Sequence, residues 1–346
     1  MKKLSLILVA LLSLGFVMAQ NKATVKETGD NNTGYVSQTG SNNTAGITQE
    51  GDKSLADVSD QSVSSLIGSL LTDTKGVTQV GNNNTGTISQ INTVRPDAAG
   101  PSAGIGQFGN KNTATIDQDG ASAWMQEYAW VKQMGDGNTS MQIQNKAFAH
   151  NSHIYQQGID QDQSQVSVGN KATTEQISGY QLDANIWQIG ARNDAKITQG
   201  GTVYANDLEA QIKQTGNDNV ATQKQFADNN TSITFQKGNF NTSNTIQNGN
   251  GASKATPDMI NVLQEGDHNI VNLTQGGVGA DADIDQIGNY NTLKGIGVDM
   301  ATSLGGSKID LDQNGSYNTL GLQQTNGAKA TVSQTGSFNS SVVIQN

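Results

Sequence analysis

The chain has 346 residues, a formal net charge of −10 and no cysteine, which excludes a disulfide framework and argues against binding to nucleic acid phosphate. Apolar residues make up 34% and aromatics 5%, too few for an ordinary globular core, and charged residues at 14% are too few for a typical charged disordered chain. The excess lies in Gly, Asn, Gln, Ser and Thr, which suits either a prion-like disordered segment or a repetitive β-structure on amide ladders. The strict spacing described below favours the second.

Residues 1–19 read as a secretory signal peptide. Lys2 and Lys3 form a basic start, Leu4 to Met18 an apolar run, and Val17 and Ala19 the −3 and −1 positions of a cleavage site. A membrane anchor is the competing reading, but the apolar run is shorter than the roughly 18 residues an anchor needs. The rest, 20–346, reads as a single repeat domain.

From Gln38 onward one pattern recurs: Gln-x-Gly-x-x-Asn-x-x-x-x-x-Gln. Ten complete copies start at Gln38, Gln79, Gln107, Gln133, Gln188, Gln214, Gln236, Gln264, Gln313 and Gln334. In the copy Val77 to Gln90, Val77 and Gln79 share one strand face, and Gly86, Ile88 and Gln90 share a face after the asparagine. Alternation with period two is the strand signal, and Gly81-Asn-Asn-Asn84 between the halves has the residues that tolerate positive φ. One motif is therefore strand, turn, strand.

Aliphatics keep phase with the glutamines, as in Ile197 and Gln199, Val262 and Gln264, Ile284 and Gln286, and Leu311 and Gln313. A lone buried amide is costly, but amides stacked in register bond one another. The expected ladder residues are Gln79, Asn84 and Gln90; Gln107, Asn112 and Gln118; Gln188, Asn193 and Gln199; Gln214, Asn219 and Gln225; Gln236, Asn241 and Gln247; Gln264, Asn269 and Gln275; Gln313, Asn318 and Gln324; and Gln334, Asn339 and Gln345. The expected tight-turn glycines are Gly81, Gly109, Gly190, Gly216, Gly238, Gly266, Gly315 and Gly336. A solvent-facing amide row is the alternative.

Gln214, Gln225, Gln236 and Gln247 follow at equal steps, so two strands make a 22-residue rung. Phased in this way, 13 rungs begin at Glu27, Gln49, Gln79, Gln107, Gln133, Gln165, Gln188, Gln214, Gln236, Gln264, Gln286, Gln313 and Gln334. Glu27, Ser54 and Ser167 degrade the first, second and sixth, and the eleventh ends at Gly297. Insertions such as Ile91–Gly104, Gly200–Gln211, Asn248–Asn261 and Ile296–Asp310 all fall in the connection between rungs, so they are expected along one edge, as tolerated surface loops or as a recognition edge. The fold class expected is all-β: a β-solenoid of about 13 stacked rungs with loop insertions on one edge. Only Gln20–Lys26 precede the first rung and the last strand runs to Asn346, so no caps are expected, and uncapped strands template head-to-tail addition.

Gln38-Thr-Gly-Ser-Asn-Asn43-Thr-Ala45-Gly-Ile-Thr-Gln49 matches every position of the curlin repeat, as do the copies beginning at Gln107, Gln188 and Gln214. Over nearly all of 20–346 the chain resembles the curli family of extracellular amyloid subunits. The resemblance implies a secreted subunit of a Gram-negative bacterium that leaves through a curli-type outer-membrane secretion pore, is nucleated by a second subunit, and polymerises with itself into cell-surface fibres of biofilm. The many intact repeats imply a fibre-forming major subunit rather than the nucleator. The chain is longer and more irregular than enteric curli subunits, and only Gln20–Lys26 separate the expected cleavage site from the first degraded rung, where the resemblance implies a segment of about twenty residues.

Other chemistry is sparse. His150 and His153 lie close together in an insertion and form a possible metal pair, without a partner pattern for a full site. His268 occupies a variable turn position and reads as solvated. Gly276-Gly-Val-Gly-Ala-Asp281 starts like a calcium-binding nonapeptide, but Asp283 stands where that repeat needs a large apolar residue. Asp281, Asp283 and Asp285 could gather a divalent ion or simply form a solvated acidic edge. Trp124, Met125, Tyr128 and Trp130 read as an insertion that forms a sticky patch or covers a rung edge. No nucleophile–base pattern, phosphate loop or cofactor motif stands out, so no enzyme and no cofactor are expected. The main expectation is a structural fibre subunit. A soluble β-helical surface adhesin, binding a glycan, surface or matrix ligand through its inserted loops, is the alternative.

Overall fold

The computed structural model describes residues 20–29, 33–50, 55–56, 76–92, 102–120, 128–148, 150–158, 169–249, 258–325 and 327–345. The segment 1–19 read as a signal peptide, together with Ser54, Trp124, Met125, Gln165 and Ser167, lies outside them. The chain divides into two compact units, 1–170 and 171–346. Each is an all-β, parallel stack, and the described residues contain no helix.

Each turn has two strand arms. The first ends at the glutamine before the Gly-x-x-Asn arc and the second at the glutamine after it. In the first unit the first arms are Val36–Thr39, Val77–Val80, Ser102–Phe108, Tyr128–Met134 and Asn151–Gln157. They pair in parallel, each motif position on its equivalent: Gln38 on Gln79, Gln79 on Gln107, Gln107 on Gln133 and Gln133 on Gln156. The second arms are Lys22–Thr28, Thr44–Glu50, Thr85–Asn92, Thr113–Gly120 and Thr139–Phe148, again in register.

In the second unit Lys171–Ile189 and Asp194–Thr215 each run through a second arm and into the next first arm. The later first arms are Asn230–Lys237, Asp258–Glu265, Asp281–Asn289, Lys308–Ser316 and Lys329–Ser337. The later second arms are Val220–Gln225, Thr242–Gln247, Ile270–Gln275, Thr319–Gln324 and Ser340–Gln345, with one split into Thr292–Lys294 and Ala301–Ser303. Alternate side chains point inward, which buries Ala and Ile, Val or Leu beside most of the glutamines and Ser, Thr or a second Gln beside the others.

The solenoid is as expected, but its count and phase are not. It has about nine turns rather than 13. The phase departs from the expected one at the four degraded rungs. Glu27 pairs with Gln49 and Gln49 with Gln90, so they occupy the second arm and not the Gln79 column, which Gln38 fills. The sixth rung starts at Gln156, because Ile154 and Gln156 carry the strand alternation into Gly158. In the eleventh, residues 295–300 interrupt the second arm, and Ser303 takes the glutamine position, in register with Gln275 and Gln324.

The insertions therefore do not all share one edge. The sequence from Gly158 to Asn170 is longer than a Gly-x-x-Asn arc, and 295–300 enter inside an arm. Tyr128 and Trp130 belong to a first arm rather than to an insertion.

Candidate functional site

The candidate site is the line of repeated polar side chains inside each unit. In the first arms of the first unit, Gln38 Nε2 donates to Gln79 Oε1 at 2.8 Å, Gln79 to Gln107 at 2.7 Å, Gln107 to Gln133 at 2.8 Å and Gln133 to Gln156 at 2.9 Å. In the second arms Gln49, Gln90, Gln118 and Gln144 form the same chain at 2.8–2.9 Å. In the second unit Gln188, Gln214, Gln236, Gln264, Gln286, Gln313 and Gln334 run on at 2.7–2.9 Å. Gln176, Gln199, Gln225, Gln247 and Gln275 run on at 2.9–3.1 Å, and Gln324 donates to Gln345 beyond the Ser303 interruption.

An amide nitrogen has two hydrogens, and the second is used as well. Gln107 Nε2 also donates to Thr85 O, Gln236 to Val220 O and Gln264 to Thr242 O, each on the opposite arm. The glutamine thus ties turn to turn and arm to arm at once. A leucine of similar size could do neither, and that is why a fully buried amide is tolerated here.

The arc asparagines form a third ladder. Asn84 Oδ1 accepts from the backbone N–H of Asn112 at 3.0 Å, while Asn84 Nδ2 donates to Gly109 O at 2.7 Å. Asn193, Asn219, Asn241, Asn269, Asn291 and Asn318 each donate in the same way to the glycine carbonyl of the next arc at 2.7–2.9 Å. Asn339, in the last described arc, donates to Asn318 Oδ1 and Thr335 O.

The turn glycines Gly81, Gly109, Gly190, Gly216, Gly238, Gly266, Gly315 and Gly336 have φ between +98° and +133°. On all but Gly336, a Cβ would overlap the glycine carbonyl of the next arc. Glycine is needed there for both conformation and closeness.

Several ladder positions lie outside the expected set. Gln156 and Asn170 belong to the split arc, and the inserted residues hide their spacing. Gln144 closes the repeat that begins at Gln133, and Gln176 stands at the motif's spacing from Asn170, so spacing was the available signal for both. The residue after each arc glycine forms an outer ladder: Asn82, Asn110 and Asp136 in the first unit, and Asn217, Asn239, Asp267 and Asn289 in the second, each accepting the backbone N–H of the preceding arc. The motif leaves that position free, so no sequence rule marked it.

Among the described residues, no three His, Cys, Asp or Glu side chains gather as a metal set. His150 is fully buried, and His153 lies in register with Trp130. Asp281, Asp283 and Asp285 face outward beside Lys308, Asp310 and Asp312, and Lys308 pairs with Asp281 at 3.9 Å. Desolvation first, and then neighbouring carboxylates, hold Asp283 and Asp285 above the usual carboxylate range. His268 is not a freely solvated side chain, since its ring is sandwiched between Phe240 and Tyr290.

No curated protein matches the chain. Residues 21–59 match the family model described as the curlin associated repeat. With glutamine, glycine and asparagine stacked on their equivalents through turn after turn, that match supports a curli-family protein.

Proposed function

We propose that the chain is a secreted structural subunit that assembles head-to-tail into curli-like extracellular amyloid fibres, serving biofilm matrix, cell adhesion and aggregation. The observation that carries this reading is the run of in-register Gln-to-Gln hydrogen bonds within each unit. Identical side chains in a parallel stack are the bonding pattern of a cross-β fibre, so adding another copy repeats contacts already made within one chain. The curlin repeat supports a curli-like amyloid subunit. A curli-type secretion pore, a nucleating subunit and a cell-surface location in a Gram-negative bacterium belong to the same proposal.

The test is purified chain from Gln20 onward, followed by dye binding and fibre diffraction. Fibres with a meridional reflection near ~4.7 Å are expected. A chain that stays monomeric without that reflection overturns the proposal. The adhesin alternative draws on Val278 and Val298, which stand exposed on irregular segments of the second unit. It predicts glycan or surface binding that survives without fibres.

A further inference from the structure

Two residues after each arc glycine the backbone enters the left-handed region. In five successive arcs of the second unit that position holds Phe240, His268, Tyr290, Tyr317 and Phe338, with φ between +58° and +62°. A bulky residue is strained there. The arc does not need one, since Asn42 and Asn83 in the first unit and Asp218 in the second hold the same position.

The five rings form one column. Their centroids are 4.6–4.9 Å apart and adjacent planes lie within 5°. Each inner ring has both faces covered, so a sugar or planar ligand finds no face to stack on along the column. The edges remain open: Phe240 is 50% exposed, Tyr290 43%, Tyr317 48% and Phe338 76%. The flanks of the last three arcs carry no charge, with Asn289, Ser316 and Ser337 on one side and Thr292, Thr319 and Ser340 on the other. Elsewhere in the second unit the arcs carry Arg192 and Asp218 at the ring position, and the arcs of the first unit carry Lys111 and Asp136.

We propose that this aromatic ridge is where a fibre of this chain packs sideways against a second copy in a neighbouring fibre. The inference rests on the fibre reading above. Two features select the occupant. In a chain of net charge −10, this uncharged strip is where two copies meet without like-charge repulsion. A row of ring edges at 4.6–4.9 Å also interdigitates best with a row of the same period, which another copy supplies. Five ring edges cover far less than the roughly 800 Å² per partner of a stable dimer. The contact is therefore too weak for two free subunits and holds only where a fibre repeats it in every subunit.

The test replaces Phe240, Tyr290, Tyr317 and Phe338 by Asn, the residue this chain holds at the same position in Asn83. Fibre growth followed by dye, and fibre width by electron microscopy, are the readouts. The expected result is an unchanged growth rate with single fibres in place of bundles. Bundles that persist overturn the proposal, and so does loss of fibres in the variant alone, which would make the rings a brace for the arcs. A second variant, Tyr317→Arg, should disperse bundles at low salt and let them re-form at high salt; bundling independent of salt also overturns it. Wild-type chain that forms no fibres sinks the fibre reading and this inference together, whereas fibres that bundle without the ridge sink only the inference.

Discussion

Two stretches of the second unit have the same backbone and opposite fillings. The turn built from Val220–Gln225, Asn230–Lys237 and Thr242–Gln247 buries Gln223, Ser232, Thr234, Ser243 and Thr245. The turns from Asp258 onward bury Ile260, Val262, Val271, Leu273, Ile284, Leu311 and Leu322 in one apolar cluster. Strand register crosses between them without a break, placing Ser232 on Ile260, Thr234 on Val262 and Thr245 on Leu273. The outer face inverts as well: Ile233 and Phe235 lie outside the polar turn, whereas Asp283 and Asp285 lie at the equivalent positions two turns on. Through all of this the Gln236–Gln264 ladder bond stays at 2.8 Å. The amides and glycines set the stack, and the side chains between them only fill it.

That contrast fails if the frame residues prove dispensable. The largest expected effect is from Gly315→Ala, in the apolar stretch. A Cβ there overlaps the carbonyl of Gly336, and φ is +133°. The cost should be roughly 3–5 kcal/mol by chemical denaturation. A neutral result would mean that arcs separate freely and do not set the spacing. Next comes Gln264→Leu, which suits the apolar surroundings but strands the Gln236 amide and the Gln286 carbonyl oxygen. A loss of about 2–4 kcal/mol is expected despite the added apolar surface; a gain in stability would make packing the governing term.

The strand–arc–strand unit was legible because it depends on local chemistry: glycine at positive φ, and glutamine two residues from an aliphatic on one face. Phase was not. Glutamines of both arms recur at nearly equal steps, so spacing alone cannot tell Gln38, in the Gln79 column, from Gln49, in the Gln90 column. Gln156 was lost because the residues between Gly158 and Asn170 break the motif where it looked invariant. The ring column was invisible for a different reason. Phe240, His268, Tyr290, Tyr317 and Phe338 occupy a position the motif leaves open, and only stacking brings them together.

A third change sharpens the contrast from the filling side. In the polar turn Gln223 Oε1 and Ser243 Oγ have no hydrogen-bond partner among the described residues, while Gln223 Nε2 is held by Gln211 O and Thr234 Oγ1. The double variant Gln223→Leu with Thr234→Val removes both side-chain partners and the orphaned oxygen together. It should stabilise the unit by about 1–2 kcal/mol, with the ladder intact. A loss of stability would show that the polar filling is part of the frame.

The smallest effect concerns the acidic outer face of the apolar turns. Burial is the first cause that raises Asp283 above its ordinary value of 3.8, followed by the charges of Asp310 and Asp281. For Asp285 burial again comes first, followed by Asp283, Asp312 and Asp310. A carboxyl whose folded pKa lies above its unfolded value binds its proton more readily when folded. Stability contributed by these groups is therefore present at acid pH and falls as pH rises from 3.8 through the raised values. Denaturant midpoints should rise modestly as pH is lowered from about 7 towards the window just above the unfolded value. The rise is small because both side chains still meet water, which screens their repulsion. Asp283→Asn with Asp285→Asn should flatten that part of the pH dependence and leave the polar turn's ladder bonds unchanged. An unchanged slope would place the acid response elsewhere, with buried Asp258, also raised by desolvation, as the next residue to replace by Asn.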